Sequence, residues 1–330
     1  MSGAELVWGV MGAGVIAYVL TGGADFGGGL WHLLASGERR TAQRRAIERA
    51  LAPIWEANHV WLIFVVVLLF TVFPRAFATV GIALHIPVTL ALIGIVLRGS
   101  AFSFHSYGTG PAVAQGRWAL AFGVSSVLSP LFLGATLAAL STGDIRWVNG
   151  LVTSGFFAGW TTPFAWLTGL FAVALFALLA AVYLTVDSPE EVRDDFRVRA
   201  LVLEVAAGAL AGAVFWRSSV DAPQLFHRLA HSSWTLPLQA ATAAAALATL
   251  SALYQRRYRL ARITVALQVT LVVVGWGFAM DGHVVMPDLT VHNSGAEATV
   301  IAALLPALAV GGALIAPALY YLFRVFKRGV

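Results

Sequence analysis

Residues 51–73 read LAPIWEANHVWLIFVVVLLFTVF, an almost continuously apolar stretch that decides the fold class of this chain. About 20 residues at 1.5 Å each cross the hydrocarbon core of a bilayer, so the stretch is long enough to span a membrane. Its first third nevertheless carries Glu56, Asn58 and His59. An ionisable side chain inside a membrane is costly unless it faces protein or water, so these groups indicate a functional site. The alternative is that Glu56 lies at headgroup depth near Arg49 and only reaches toward water.

The composition of the whole chain agrees with membrane insertion. Hydrophobic residues make up 59% of the 330 residues and charged residues 11%, and the mean hydropathy is +0.82, whereas soluble domains carry about 25% charged residues. The net charge of +5 does not indicate nucleic acid binding, because the basic residues form short clusters between apolar segments. The chain has no cysteine, which excludes disulfides and thiolate metal sites.

Nine apolar segments predict an all-α polytopic membrane protein, because lipid offers no hydrogen-bond partner to an open backbone. The N-terminal sequence MSGAELVWGV has no basic residue before its apolar run, so we expect the first segment to be retained as a span. The approximate bounds of the nine segments are 5–34, 51–73, 76–97, 118–140, 157–185, 200–216, 235–253, 263–280 and 299–323.

The loops between these segments predict the orientation of the chain. Nine spans place the two termini on opposite sides, and 17 of the 21 basic residues then fall on one side. The other side keeps Arg75, Arg146, Arg217 and Arg228. Because cytoplasmic loops carry the excess of Lys and Arg, we expect the N-terminus outside and the C-terminus in the cytoplasm.

A second acidic residue, Asp25, lies in the glycine-rich segment TGGADFGGGLWH of the first span. If the first two spans form a hairpin joined at the arginine cluster of residues 39–49, both acids enter from that side. At 1.5 Å per residue, Asp25 lies about 16 Å and Glu56 about 10 Å from this end. We therefore expect Asp25 and Glu56 to share one cavity in the cytoplasmic half of the membrane.

The sequence predicts no metal site in this chain. Glu56 and His59 form a Glu-x-x-His pair, which is one element of a carboxylate-bridged di-iron site. Such a site needs a second copy and two further glutamates, and Glu204 is the only other candidate within the spans. Haem iron takes axial histidine, but His59 and His85, the two histidines at membrane depth, lack a recognisable paired ligand.

Several motifs follow one another in a characteristic order: TGGADFGGG, a short arginine-rich loop, APIWEANHVWL, VFPRAF, VLRGSAF and, near the other end, GWGFAMDGHVVMPDLTV and YLFRVFK. In this order and spacing the chain resembles subunit II of the cytochrome bd-type quinol oxidases, from its first span to its last. The resemblance implies two four-helix bundles, at residues 1–140 and 157–280, and a peripheral ninth helix with its tail at 299–330. The polar stretch 187–199 is predicted to be a solvated cytoplasmic linker.

The resemblance also implies a function in the bacterial inner membrane. The complex would oxidise quinol and reduce dioxygen to water in the respiratory chain, and the haems, of types b and d, would lie on a partner, subunit I. No catalytic residue is then expected in this chain, which would instead contribute a proton path and a passage for oxygen. The resemblance leaves room for small accessory subunits, for bound lipid and for a quinone in this chain.

The resemblance assigns roles to residues by position. Asp25, Glu56, Asn58 and His59 are expected to form the proton path, and Trp61 to line the oxygen passage.

Trp55 and Arg98 are expected to have structural or interface roles, although a topology anchor would also explain Arg98. The family carries an acid at the position of Ser103, so this chain departs from the pattern at the expected proton entrance. His105 could carry protons instead, because histidine titrates near neutral pH, or it could be a solvated loop residue. A rival function, a proton-coupled secondary transporter, would also place acids near broken, glycine-rich helices.

Overall fold

The structure, a computed structural model, describes residues 2–51, 55–108 and 111–327 of the chain. It is helical almost throughout. The helices are α1 Gly3–Leu33, α2 Arg40–Leu51, α3 Trp55–Asn58, α4 Val60–Val72, α5 Pro74–Ala83, α6 His85–Tyr107, α7 Ala112–Thr142, α8 Pro163–Asp187, α9 Glu190–Asp221, α10 Pro223–His231, α11 Thr235–Tyr254, α12 Tyr258–Met280 and α13 Ala298–Lys327. Two short antiparallel hairpins complete it, β1 Trp147–Val148 with β2 Leu151–Val152, and β3 His283–Val285 with β4 Leu289–Thr290.

Within the described residues, eight helices are long and apolar enough to cross a membrane. A ninth span results if α2 and the segment Glu56–Val72 are counted as one span. The axes of these two segments are bent by 52°. The all-α fold class with about nine spans is therefore confirmed. Over the described residues of this stretch the second span is not one straight helix, because α3 ends at Asn58, α4 begins at Val60, and the axis of Glu56–Val72 is bent by 52° from that of Arg40–Leu51.

Two other predicted boundaries were wrong for identifiable reasons. The third span does not begin near residue 76, because Pro74 opens a separate short helix, α5, and the long helix α6 starts at His85. Proline suits the first turn of a helix, where its missing N–H has no partner to lose. The predicted linker at 187–199 is mostly helical, since α9 begins at Glu190 directly after Pro189 and the acidic residues of its first turn favour a helix start.

The glycine-rich stretch of α1 is a helix contact surface. A Cβ atom at Gly27 would lie 1.9 Å from the backbone oxygen of Phe176 on α8, and one at Gly29 would lie 2.0 Å from the Oγ of Ser126 on α7. The Nε1 of Trp31 donates a hydrogen bond to the backbone oxygen of Ala177 at 2.8 Å. Small residues let helix backbones approach closely in membranes, so these glycines fix α1 against α7 and α8.

The helices α8 and α1 make most of the contacts inside the bundle. Helix α8, the most buried span, packs against α1, α7, α9 and α12, while α1 also contacts α4 and α7. Helix α13 contacts α1, and only 6% of its span is buried, so it lies at the periphery. The division into two four-helix bundles at residues 1–140 and 157–280 stays a prediction.

The two hairpins lie together at one end of the molecule, called here the hairpin end. Arg146, just before β1, holds Asp288, between β3 and β4, through two hydrogen bonds of 2.9 and 3.1 Å. The backbone N–H of Trp147 donates to the same carboxylate at 2.8 Å. Burial alone would raise the pKa of Asp288, but these hydrogen bonds and the charge of Arg146 outweigh it and hold the pKa below its usual value. The opposite end, which carries α2, is called the basic end.

Candidate functional site

The centre of the candidate site is a hydrogen bond between two buried polar side chains. The Nδ2 of Asn58 donates to the Oδ2 of Asp25 at 2.6 Å, and both residues are buried. Asp25 is part of the glycine-rich surface of α1, and Asn58 ends the single turn of α3. Of the residues expected in the proton path, these two therefore do meet.

Arg98 supplies a positive charge inside the same bundle. Its side chain is the largest fully buried one in the described structure, and the residue is only 1% exposed. The guanidinium lies over the rings of Phe26 and Phe122, 5.0 and 5.4 Å from their centroids. It interacts electrostatically with Asp25. A buried positive charge needs a negative charge nearby. The position of Arg98 therefore agrees better with a counter-charge for Asp25 than with a topology anchor at the end of a span.

His59 adjoins this site from the break between α3 and α4. Its ring lies 6.0 Å from that of Tyr18 and 5.9 Å from that of Phe26, both on α1. The imidazole is therefore packed against α1, within electrostatic reach of Arg98.

A cavity of about 200 Å³ leads from the site toward the basic end. Asp25 and Asn58 line its inner part, and Tyr183, Asp187 and Arg262 are also in its wall. Arg262 and Asp187 form an ion pair of 3.1 Å whose side chains are both partly exposed. The cavity has room for several water molecules, so it can join the buried carboxyl group to the surface.

The expectation that Glu56 shares this cavity with Asp25 was wrong. Glu56 is exposed in the chain, and it is not among the described residues that line the cavity. Residues two apart on a helix do not face the same way. Because Asn58 points inward to Asp25, Glu56 on the same turn points outward.

The second group of predicted residues lies near the basic end of α6. Ser103 is half-buried there. His105 belongs to the helix rather than to a solvated loop, and its Nε2 lies 3.3 Å from the Oε1 of Glu48 on α2. The Nε2 of His32, at the end of α1, lies 3.0 Å from the same oxygen.

Sequence reasoning missed His32 and Glu48, although the sequence contains a signal for the first. His32 follows Asp25 by seven residues, and His105 follows Arg98 by seven, which is two helical turns in both cases. Each histidine therefore lies on the same face of its helix as the charge that precedes it. No comparable periodicity indicates Glu48, because α2 is a separate helix.

The two tryptophans are placed differently. Trp61, on α4, is half-buried, packs against the central core and meets Phe64 edge to face at 6.4 Å. The side chain of Trp55 lies outside the described part of the structure.

A further polar contact, remote in sequence, joins α9 to α12, where the Nε2 of Gln268 donates to the Oε1 of Glu204 at 2.7 Å.

Fold and site together define a polytopic helical membrane protein with opposite charges buried between its first spans. The family model described as Cytochrome bd terminal oxidase subunit II matches residues 4–326, and the chain belongs to this family. The resemblance drawn from the motifs is confirmed.

Individual relatives extend the comparison. The chain is 24% identical over 339 residues to a putative cytochrome bd menaquinol oxidase subunit II of Bacillus subtilis, covering 98% of this chain and 94% of the relative. It is 27% identical over 216 residues to the cytochrome bd-I ubiquinol oxidase subunit 2 of Escherichia coli K12, covering 62% of this chain and 55% of the relative. The solved structure of bd oxidase from Geobacillus thermodenitrificans shares the fold, with a TM-score of 0.81 and 24% identity over 99% of both chains.

Membership of this family makes the chain a subunit of a quinol-oxidising oxidoreductase complex in a bacterial respiratory chain. The family implies a subunit I partner, quinol as substrate and haems in the complex. A secondary transporter is not supported.

Proposed function

We propose that this chain is the subunit without haem of an oxidase that reduces dioxygen to water, and that subunit I carries the b-type and d-type haems. The histidines at membrane depth support this division. His59 is packed between the rings of Tyr18 and Phe26. His85 is exposed, and its Nδ1 lies 2.9 Å from the backbone oxygen of Ile82. His59 therefore packs against two rings of α1, and the ring of His85 contacts the backbone of α5.

The single observation that carries the proton path is the cavity between the Asp187–Arg262 pair and Asp25. Reduction of dioxygen to water consumes protons, which an apolar bundle can deliver only through titratable groups or water. In this proposal, water in the cavity brings protons from the basic end to the carboxyl group of Asp25. Asn58 orients that carboxyl group, and Arg98 balances its negative charge.

The proposed path continues from Asp25 to the partner through α3. Glu56 lies on the outer side of this turn, where it is exposed in the single chain and free to exchange protons with a neighbouring subunit. His59 follows the turn and lies beside the site. Ser103 and His105 are candidates for a further proton entrance. The family pattern has an acid at the position of Ser103, and in this chain Glu48 supplies a carboxylate next to His105 instead.

The remaining assignments belong to the same proposal. The basic end faces the cytoplasm of a bacterium, with the N-terminus outside, and Trp61 lines a passage for oxygen along α4. Trp55 and Arg98 keep structural or interface roles. A quinone in this chain and small accessory subunits fit the proposal without being required by it.

The test is to purify the complex through an affinity tag on this chain and to record its reduced-minus-oxidised absorption spectrum. We expect a larger membrane partner to co-purify and the bands of b-type and d-type haem to appear. Membranes with the untagged chain provide the control for background haem proteins. A colourless chain that purifies alone in functional form would overturn the proposal.

A further inference from the structure

Three side chains from three helices converge near the basic end: His32 of α1, Glu48 of α2 and His105 of α6. The Nε2 atoms of the two histidines lie 3.0 and 3.3 Å from one carboxylate oxygen of Glu48. One potential ligand atom from each residue lies within 4.8 Å of the others. This group is called here the His-Glu-His cluster.

Ordinary helix packing gives little reason for this cluster. The side chain of His32 is wholly buried, and its ring meets that of His105 at a centroid distance of 5.2 Å. The Nδ1 atoms of both histidines are buried and have no hydrogen-bond partner among the described residues. Among the described residues, the hydrogen bonds of these two imidazoles are therefore made by their Nε2 atoms, both to Glu48.

The chemistry of the three donors matches a known kind of ligand set. Two imidazoles and one carboxylate form the protein side of catalytic zinc sites, in which water takes a fourth, open position. Glu48 and His105 are 31% and 18% exposed, so water and ions can reach the cluster from the surface. The carboxylate of Glu48 also brings negative charge to the cluster, which favours a divalent cation.

The geometry needs only a small adjustment. Bonds of 2.0–2.1 Å in a tetrahedral site place ligand atoms about 3.4 Å apart. Glu48 already lies near this distance from both histidines, at 3.0 and 3.3 Å. The third distance, between the histidines, exceeds it by at most about 1.4 Å, because all ligand atoms lie within 4.8 Å of one another. Rotation of the partly exposed side chains of Glu48 and His105 is sufficient.

We propose that the His-Glu-His cluster binds a divalent transition metal ion of the Zn²⁺ class at the surface of the basic end. The proposal rests on these three residues and does not depend on the proton path. Arg44, one turn before Glu48, donates its Nε to the backbone oxygen of His32 at 3.2 Å. Its positive charge opposes a bound cation, so it weakens the site without being a ligand.

The test measures metal content rather than oxidase activity. The purified complex is treated with a chelator and dialysed against increasing Zn²⁺, and bound zinc is counted by mass spectrometry. We expect wild type to bind one more ion per complex than Glu48→Gln, which keeps the shape of the side chain. His105→Ala should lose the same ion, and Arg44→Gln should bind it roughly several-fold more tightly.

A matched control comes from the hairpin end, where His292 lies 3.4 Å from Glu5 and the described residues supply no third ligand. His292→Ala should leave the zinc count at the wild-type value. X-ray absorption at the zinc edge should show nitrogen and oxygen ligands at about 2.0 Å in wild type. Equal zinc content in wild type and Glu48→Gln, in complexes of equal haem content, would overturn the proposal even if the oxidase function holds.

Discussion

Asp25 and Arg98 carry opposite charges inside one apolar bundle. Each charge lowers the free-energy cost of burying the other. Removing one member of a buried ion pair leaves an uncompensated charge, which typically costs about 3–5 kcal/mol. Asn58, which donates to Asp25, and the rings of Phe26 and Phe122, which face Arg98, add to this compensation.

The first prediction concerns this compensation. Asp25→Asn keeps the shape of the side chain but removes the negative charge, so we expect the purified complex to unfold at a clearly lower temperature. The loss should be of the order of 3 kcal/mol. Replacing Arg98 by Met in the same variant should restore most of the thermal stability, because both charges are then absent. A single Asp25→Asn variant as stable as wild type would mean that another group compensates Arg98.

Glu56 gives a cleaner test of proton transfer, because it is exposed in this chain and its replacement leaves no buried charge unpaired. We expect Glu56→Gln to slow oxygen consumption at saturating quinol by at least about tenfold, or about 1.4 kcal/mol on the limiting step. Glu56→Asp keeps the acid and should retain much of the activity. Haem content should change in neither variant. Full activity of the Gln variant would remove Glu56 from the path.

Among the elements, α1 and the broken second span decide where the site lies. The glycines of α1 bring its backbone against α7 and α8, which sets the rotation of α1 and directs Asp25 and His32 inward. The break between α2 and α4 allows the short α3 to turn Asn58 toward Asp25. Polar residues at this depth are tolerated where they face protein or a cavity rather than lipid.

Two glycines of α1, Gly27 and Gly12, allow a matched test of the contact between α1 and α8. Gly27→Ala adds a Cβ that would lie 1.9 Å from the backbone oxygen of Phe176, so α1 and α8 must separate. Overpacking of this kind costs about 1–3 kcal/mol, and we expect a lower yield and a lower unfolding temperature of the complex. Gly12→Ala is the control, because nothing lies within 4 Å of its added Cβ. Equal effects of the two substitutions would contradict the close contact.

At the scale of the whole molecule, the distribution of charge predicts the orientation in the membrane. Thr41, on α2, and Thr153, after β2, are both exposed and lie at opposite ends of the molecule. A cysteine at Thr41 should react with an impermeant maleimide from the cytoplasmic side, and a cysteine at Thr153 from the outer side. The cysteine-free parent chain gives the background labelling of the partner. The reverse pattern would invert the proposed orientation and with it the direction of the proton path.

The amino-acid sequence alone predicted that this chain is all-helical, that it spans a membrane about nine times and to which family it belongs. These properties depend on sums over contiguous residues and on the order of motifs, so they need no knowledge of neighbours in space. It also predicted Asp25 and Asn58 as site residues and Arg98 as a structural or interface residue, because a polar residue in a long apolar segment is visible without a structure.

Which of these residues meet could not be predicted without the three-dimensional structure. The outward direction of Glu56, the contact of Asn58 with Asp25 and the meeting of His32, Glu48 and His105 all depend on how each helix is rotated about its axis. That rotation is set by contacts between distant segments, such as Gly27 with the backbone of α8 and Trp31 with Ala177. Hydropathy measures the transfer of a segment into lipid, and it is nearly unchanged when a helix turns about its axis.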